Sequence, residues 1–403
     1  MPRDATHRLR LAAVALVALG VWRAAIADMA GGLIANSSFE LVEPPPPTSE
    51  SARRGGAVPP EQMLPRGWDM LVQGEATATS PADAGLAHSG SRCLRLEANR
   101  GQAIVRYGPM PLPDARPWQI TFWARGTGTL VCVAHEFRPD RASTTGETTW
   151  ALSAHWTRHT HTFAPPADWR TWHLALQTRG RTEAWIDDVT AGYEGLQPLP
   201  LPPSRPVERD GQTLLYLPFE EPLDEYAFFV KGPVHLSGTE VGKFGRALVF
   251  GPESYVAGAA EDHLNPTSGT IEVWCRFQGP GNNGLSQNIV SVPGPDGMWF
   301  GKDQYGHVSL AFSSGWRRLA GATAMGYAHS WQPGVWRHFA ACWDREALQV
   351  FVDGKLIAWQ TRPQLLRMLG PELRLGSPGL ELDDLRISAG VRYRVPVAPD
   401  AGQ

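Results

Sequence analysis

The sequence predicts an all-β protein made of two tandem β-sandwich domains. Three observations lead to this fold class. Apolar and polar residues alternate over segments of roughly five to eight residues, as in half-buried strands, and no helical periodicity is sustained. The 403 residues include 42 Gly and 35 Pro, which favour turns over long helices. A short phrase, I-D-D-V at residues 186–189, returns as L-D-D-L at residues 382–385.

Each copy of the Asp-Asp phrase lies in an alternating run, at residues 185–190 and 380–387, and closes a long series of strand-like segments. The two copies therefore predict the last strand of each of two sandwiches. Adjacent side chains on a strand point to opposite faces, so one carboxylate can serve a structural or metal-binding role while its neighbour faces solvent. We interpret the phrase as a marker of the fold rather than of catalysis.

Composition and charge exclude several classes of protein. A hydrophobic content of 42% with 16 Trp excludes a disordered chain. The net charge of −3 is scattered along the sequence. Nucleic acid and anionic lipid both require a concentrated basic face, so neither is expected as a partner.

Residues 1–27 have the pattern of a secretory signal peptide. Arg3, Arg8 and Arg10 precede an apolar run at residues 11–22, and an A-I-A site follows at residues 25–27. The run is shorter than the roughly 20 residues that span a bilayer, so an uncleaved anchor is the weaker alternative. We expect a secreted, periplasmic or cell-surface protein with no membrane span after cleavage.

The four cysteines divide evenly between the two domains, with Cys93 and Cys132 in the first and Cys275 and Cys342 in the second. An exported protein permits one disulfide bridge in each domain. All four residues lie in strand-like apolar runs, where a free Cys behaves as a small buried hydrophobe. We favour buried thiols, with two bridges as the alternative.

A Pro-rich segment at residues 197–211 separates the two sets of strands. It contains five Pro between residues 198 and 206 and follows directly on the first Asp-Asp strand. Such a composition is typical of a stiff, extended linker. The predicted domains are therefore residues 28–196 and residues 212–397.

Four motifs of the first domain occur in a recognisable order. They are N-x-x-F-E at residues 36–40, G-W at residues 67–68, H-S-G at residues 88–90 and the closing I-D-D-V. In this order they resemble the galactose-binding-like jelly rolls of the family 4/9/22 type of carbohydrate-binding modules. The resemblance implies a jelly-roll fold and binding of a polysaccharide or other glycan.

The same resemblance implies a structural calcium that joins the opening strand to the closing one. It places Glu40 and one of Asp187 or Asp188 at that site. Calcium takes several hard oxygen ligands from carboxylates and carbonyls, which fits these residue types. The alternative is a solvent-exposed Glu and an Asp that stabilises a turn.

Four residues of the first domain are candidates for a sugar platform: Trp123 with Arg125, His135 and Trp150. Indole faces stack on the C–H faces of sugars, and Arg and His pair with hydroxyl groups. The alternative for any single Trp is a place in the core, because Trp is a mostly buried residue with one polar tip.

The second domain carries a longer series of motifs: G-K-F-G-R-A-L at 242–248, T-I-E-V-W at 270–274, G-V-W-R-H at 334–338, V-F-V-D-G-K at 350–355 and L-R-L-G at 373–376. The series looks like a laminin-G-like, concanavalin A-type lectin/glucanase sandwich. Asp353-Gly354 is in addition a hairpin turn signal between two apolar strands.

Some members of that superfold are glycoside hydrolases with an E-x-D-x-x-E strand. Here the strand begins correctly at Glu381 but has Arg386 in place of the second Glu. Two carboxyl groups are the minimum for the common glycosidase mechanisms. We therefore predict a non-catalytic glycan-binding protein. The alternatives are a structural or protein-interaction component of the cell surface and, less favoured, a degenerate glycoside hydrolase.

The signal peptide leads to a direct prediction. The mature chain should start near Asp28, because cleavage is expected after the small residue Ala27. Intact-mass analysis of protein collected outside the cytoplasm measures this start. Retention of residues 1–27 on a membrane-bound chain would contradict it.

Overall fold

The computed structural model describes most of both predicted domains. The described residues are Ile34, Phe39, 42–43, 64–65, 67–112, 114–137, 142–193, 202–223, 228–329 and 331–397. The predicted signal peptide and Glu40 lie outside them. The chain divides into two compact units, Met1–Leu201 and Pro202–Gln403. Every regular element in the described residues is a β-strand, which confirms the all-β fold class.

The first unit is built on one six-stranded antiparallel sheet and a separate two-stranded pair. Its described strands are β1 (Val42–Glu43), β2 (Leu64–Pro65), β3 (Asp69–Thr79), β4 (Leu94–Pro111), β5 (Trp118–Phe137), β6 (Ala142–Ala151), β7 (Thr157–Phe163) and β8 (Thr171–Gly192). Strand β1 pairs with β2, and the larger sheet has the order β3-β4-β8-β5-β6. Strand β7 pairs with the first part of β5, and β6 pairs with the second part.

The central strands of this sheet are much longer than the sequence predicts. Strands β4, β5 and β8 have 18, 20 and 22 residues. Glycines that look like turn signals lie inside them. A Cβ on Gly101 would be 2.0 Å from the carbonyl oxygen of Gln73, and one on Gly126 would be 1.9 Å from that of Glu183. These glycines allow neighbouring backbones to approach within a sheet, and they do not end the strands.

The two faces of the long strands differ in composition. Leu94, Leu96 and Ala98 of β4 point into the core and are almost fully buried. Large aromatic residues fill the same core, including Trp118 and Trp172, whose ring centroids are 5.1 Å apart. The residues of β4 that alternate with these three, Arg95 and Glu97, are half-buried and lie on the opposite face of the sheet, which carries one of the sites described below.

The second unit is a sandwich of two antiparallel sheets. Its described strands are β9 (Thr213–Leu217), β10 (Phe229–Lys231), β11 (Val234–Leu236), β12 (Leu248–Phe250), β13 (Tyr255–Ala259), β14 (Gly269–Phe277), β15 (Gln287–Val292), β16 (Gly297–Lys302), β17 (Val308–Ser314), β18 (Arg317–Ala324), β19 (Trp336–Trp343), β20 (Ala347–Val352), β21 (Lys355–Thr361), β22 (Glu372–Leu375) and β23 (Leu380–Ser388).

One sheet of the second unit has seven strands in the order β10-β13-β22-β15-β16-β17-β18, and the other has the order β11-β12-β23-β14-β19-β20-β21 with β9 beside β23. A single hydrophobic core joins them. It combines Val290 and Phe300 of the seven-stranded sheet with Phe339 and Leu382 of the eight-stranded one. The Asp-Asp phrase of this unit lies on β23, near the middle of its sheet.

The end of the predicted linker belongs to the second unit. The backbone N–H of Val207 donates to Asp384, Arg386 donates to the carbonyl of Glu208, and Arg392 forms an ion pair with Asp210. These contacts hold residues 207–210 on the eight-stranded sheet. The last residues of the segment predicted as a linker thus contact the second unit, and its five Pro lie before them.

All four cysteines are buried free thiols, as favoured above. Burial raises the pKa of Cys342 to about 12 and that of Cys132 still further, so both stay protonated. They act as small core residues. Among the described residues, no helix is long and apolar enough to cross a membrane.

Candidate functional site

The first Asp-Asp pair fixes a distant loop to strand β8. Oδ2 of the buried Asp187 accepts the backbone N–H groups of His88 and Ser89, at 2.9 and 3.0 Å. Asp188 has a left-handed φ of 49°. Its two carboxylate oxygens bond to Nδ1 of His88 at 2.7 Å and to the hydroxyl of Ser89 at 2.6 Å. Burial, with the neighbouring charge of Asp188, raises the pKa of Asp187 to about 8.

The second pair repeats this arrangement in the other unit. Oδ2 of Asp383 accepts the backbone N–H groups of Lys243 and Phe244, at 2.7 and 2.8 Å. Asp384 has a φ of 50°, and one of its oxygens accepts the hydroxyl of Tyr216 at 2.8 Å. In both units the first Asp accepts two successive backbone N–H groups from a loop far away in sequence. The repeated phrase is a loop anchor.

Two of the three residues predicted to bind calcium, Asp187 and Asp188, are among the described residues. All four carboxylate oxygens of Asp187 and Asp188 accept hydrogen bonds. Calcium takes six to eight oxygen ligands, and the described residues contain no group of three or more Asp, Glu, His or Cys placed to hold a metal. Asp187 and Asp188 therefore fit a loop anchor without a metal. A calcium site completed by Glu40, which is not among the described residues, stays a prediction.

A row of aromatic and cationic side chains covers the outer face of the first unit, and we call it the Trp–Arg ladder. Its members are Arg95, Trp185, Arg125, Trp156, His88 and Trp123. Arg95, Trp185 and Arg125 are direct cross-strand neighbours on β4, β8 and β5. Both guanidinium groups lie over the Trp185 ring, at 5.2 and 5.7 Å from its centroid. Arg125 also lies 5.1 Å from the centroid of Trp156.

The loop anchor sets one end of the ladder. His88, fixed by the Asp pair, stacks on Trp123 with ring centroids 4.0 Å apart and an angle of 17° between the planes. The same imidazole meets Trp156 edge-on at 5.6 Å. One face of Trp123 is thus covered by His88. The sequence did not single out Trp156 for this surface, because it lies in a loop before β7 and joins the ladder only through the fold.

The four predicted platform residues do not form one surface. Trp123 and Arg125 share the outer face of β5 and belong to the ladder. Trp150 makes an edge contact at 5.3 Å with Phe122, whose side chain points to the opposite, buried face. His135 lies further along β5, opposite His173 of β8. Alternation of side chains and the length of β5 account for this separation.

A cleft of about 670 Å³ lies on the outer face of the seven-stranded sheet of the second unit. We call it the outer-sheet cleft. One cross-strand row runs through it: Ala257, Arg374, Ser291, Trp299, Ala311 and Gly321, of which the four residues from Arg374 to Ala311 line the cleft. Most of these side chains are small, so the half-buried indole of Trp299 stands out near the middle of the row.

The ends of the cleft are aromatic. At one end Trp316 occupies the two-residue turn between β17 and β18 and is 78% exposed. Its φ of 67° lies in the left-handed region, which is rare for a bulky residue. At the other end stands Tyr255, with Arg374 and Lys231 at 4.4 and 5.2 Å from its ring centroid.

The hydrolase-like strand lies on the other sheet. Glu381 of β23 forms an ion pair with Arg276, and Arg386 forms one with Glu272. Each charge is therefore paired within the eight-stranded sheet. Among the described residues that line the outer-sheet cleft, Glu253 is the one carboxylate. The common glycosidase mechanisms use two carboxyl groups, and the described lining offers one.

Comparison with known families supports the recognition of the second unit. Residues 250–387 match the family model described as the concanavalin A-like lectin/glucanases superfamily. This range runs from the end of β12 to β23 and includes most of the cleft. No curated protein matches the chain.

Among solved structures, the tandem CBM22-1-CBM22-2 domain of Paenibacillus barcinonensis Xyn10C is similar at 12% identity and a TM-score of 0.27, covering 89% of this chain and 98% of that one. A family 16 carbohydrate-binding module is similar at 13% identity and a TM-score of 0.24, covering 29% of this chain and 85% of the module. The active domain of bacteriophage CBA120 tailspike protein 4 has 14% identity and a TM-score of 0.27 over 32% of this chain. This chain spans 19% of that tailspike chain.

The second loop anchor predicts a pH dependence of stability. Burial raises the pKa of Asp383 from 3.8 to about 7, so the folded protein keeps a proton that the unfolded chain releases near pH 4. The free-energy advantage of Asp383→Asn over the natural protein should then grow between pH 4 and pH 7, by up to about 1.4 kcal/mol per pH unit. Denaturant unfolding at several pH values measures it.

The control for this prediction is Asp262→Asn, because Asp262 is an exposed carboxylate of the same unit. This variant should unfold in parallel with the natural protein at every pH. Parallel curves for Asp383→Asn as well would show that Asp383 is already ionised in the folded state.

The calcium prediction has a separate test. A ligand that binds only the folded state stabilises it by about 2.7 kcal/mol at a hundredfold excess over Kd. Chelation should therefore lower the melting temperature of the first unit in the natural protein and leave Glu40→Ala unchanged. No effect of chelator, or the same effect on both proteins, would exclude a calcium site at Glu40.

Proposed function

We propose that this protein is an exported, non-catalytic glycan-binding protein, and that the outer-sheet cleft is its main binding surface. The observation that carries this proposal is the composition of the cleft: a row of small residues with one indole, Trp299, near its centre and a second, Trp316, at its rim. Export rests on the signal pattern of residues 1–27.

The floor suits a sugar ring because the ring is flat, bears hydroxyl groups at its edge and has apolar C–H faces. Ala311 and Ser291, the direct cross-strand neighbours of Trp299, leave space above the sheet, so a ring can lie against Trp299 without a bulky neighbour on either side. Polar groups beside the indole, such as Arg374, can pair with hydroxyl groups.

The conformation of Trp316 supports a role in binding. A left-handed φ in a bulky residue costs roughly 1–3 kcal/mol, and such residues concentrate at ligand sites. Glycine would adopt the same turn without strain. Retaining a strained and exposed indole beside the cleft is consistent with contact to a ligand.

The family match of the second unit also supports glycan binding. The superfamily matched by residues 250–387 is described by its lectins and glucanases, which both act on glycans. Absence of catalysis is proposed because the described lining of the cleft offers one carboxylate, Glu253, and because Glu381 is paired with Arg276.

The first unit contributes a second proposed surface. Trp123 and Arg125 remain candidates there as members of the Trp–Arg ladder, while His135 and Trp150 lie outside it. Because His88 covers Trp123 and two guanidinium groups lie over Trp185, the ladder offers less free indole face than the cleft. We therefore rank it second.

The cleft proposal is tested by Trp316→Gly on the full chain. This change removes the indole and suits the left-handed turn, so folding should be preserved. Binding to a panel of soluble polysaccharides should weaken at least about tenfold, or about 1.4 kcal/mol. Trp299→Ala should weaken it as much. Isothermal titration calorimetry measures the affinity, and thermal melting checks the fold.

The matched control is Met368→Ala, which removes an equally exposed side chain outside the cleft and should leave affinity unchanged. Binding to no polysaccharide would overturn the proposal and favour a surface protein as the partner. Release of reducing ends that stops in Glu253→Gln or Glu381→Gln would overturn the non-catalytic assignment.

A further inference from the structure

The outer-sheet cleft has a charge opposite in sign to that of the whole chain. Three cationic side chains, Lys231, Arg318 and Arg374, line it against the single carboxylate of Glu253. The whole sequence carries a net charge of −3. A local excess of positive charge in a concave site raises the local concentration of anions and favours an anionic ligand.

Two of these cations converge at one end of the cleft. Arg374 and Lys231 both lie near the ring of Tyr255, at 4.4 and 5.2 Å from its centroid. They are therefore within about 10 Å of each other, which is about one Debye length in 0.1 M salt. The two like charges repel, and an anion bound between them would relieve that repulsion.

The guanidinium of Arg374 is only partly engaged. Its Nε donates to Glu372, whose side chain is 42% exposed and lies outside the cleft lining. An exposed pair of this kind contributes little, typically 0–1 kcal/mol. The pair does not use the two Nη groups, which form the fork that binds carboxylate or sulfate oxygens.

Arg318 supplies the cation at the opposite end. Its Nη2 donates to the neutral hydroxyl of Thr323 at 2.9 Å, and no carboxylate among the described residues forms an ion pair with it. A Cβ on Gly321 would be 2.4 Å from Nη2 of Arg318. Glycine at position 321 therefore leaves the space in which the Arg318 side chain lies against the sheet.

The distance between the two cationic ends suits a chain of sugars. From β22, which carries Arg374, to β18, which carries Arg318, there are four steps of the sheet. At about 4.8 Å a step this is about 19 Å, with Trp299 on β16 midway between. A single monosaccharide cannot reach both ends while it lies on the indole.

From these contacts we propose that the outer-sheet cleft selects an acidic glycan, one that carries carboxylate or sulfate groups along its chain. This inference rests on the proposed function and adds its substrate class. One sugar ring stacks on Trp299, an acidic group on one side meets Arg374 and Lys231, and an acidic group on the other side meets Arg318.

The experiment compares ligands that differ only in charge. Titration calorimetry on the full chain uses polygalacturonate and its fully methyl-esterified form, and in a second arm a sulfated galactan and the same polymer after desulfation. The charged member of at least one pair should bind at least tenfold more tightly at 20 mM salt, and the difference should shrink in 0.5 M salt because exposed charges are screened. The arm that shows the difference identifies the acidic group.

Substitutions in the cleft test which cations produce the preference for the charged ligand. Arg374→Gln and Arg318→Gln should each reduce the preference for the charged ligand several-fold, and the double variant should nearly abolish it. Arg317→Gln is the matched control, since this neighbour of Arg318 is exposed and does not line the cleft, and it should keep the full preference.

The outcomes separate the two proposals. Equal affinity for the charged and neutral members of both pairs would overturn the acidic-glycan inference and leave glycan binding intact. Binding to none of the four polymers would overturn glycan binding itself. Equally tight binding of polyglutamate would show attraction to any polyanion and would also overturn the inference.

Discussion

The structure depends on a buried carboxylate that accepts two successive backbone N–H groups from a distant loop. Asp187 does this for residues 88 and 89, and Asp383 does it for residues 243 and 244. A buried polar group left without a hydrogen-bond partner costs roughly 1–3 kcal/mol, and these bonds satisfy the buried carboxyl oxygen and both N–H groups together. The closing strand of each unit and its loop therefore hold each other in place, although about 100 and about 140 residues separate them.

The second Asp of each pair adds side-chain hydrogen bonds to the same region of the structure. Its left-handed φ locally breaks the alternation of the strand, so both carboxylates of a pair reach contacts at the same region of the sheet. In the first unit the anchored His88 stacks on Trp123 and ends the Trp–Arg ladder. In the second unit the anchored Lys243 places its ammonium group 4.3 Å from the ring centroid of Trp274. In both units, therefore, the loop held by the Asp pair places a side chain against a Trp ring.

The outer-sheet cleft has a different origin: small side chains on the outer face of the sheet leave its space unfilled. Serine, alanine and glycine form most of the row across the sheet, with Trp299 near its middle, while Tyr255 and Trp316 stand at the two ends of the cleft. The backbone hydrogen bonds of seven strands supply the rigidity, so the side chains on the outer face need not fill space. A sheet supported from behind by a packed core can therefore leave one face open for a ligand.

The sequence by itself predicted the strand-rich fold class, the place of the two closing strands and the resemblance of the second unit to the concanavalin A-like superfamily, and it favoured buried thiols, because these depend on local alternation and on motifs read in order. It also put Trp123 and Arg125 together on one surface, because residues two apart on one strand share a face. Tertiary structure alone decided which residues meet across strands. The length of β5 separates His135 from Trp123, alternation turns the contacts of Trp150 to the buried side, and the outer-sheet cleft combines the consecutive strands β15–β18 with β10, β13 and β22 from elsewhere in the chain. The alternation of a strand fixes which face each side chain takes, but which distant strand lies beside it is decided only when the segments pair.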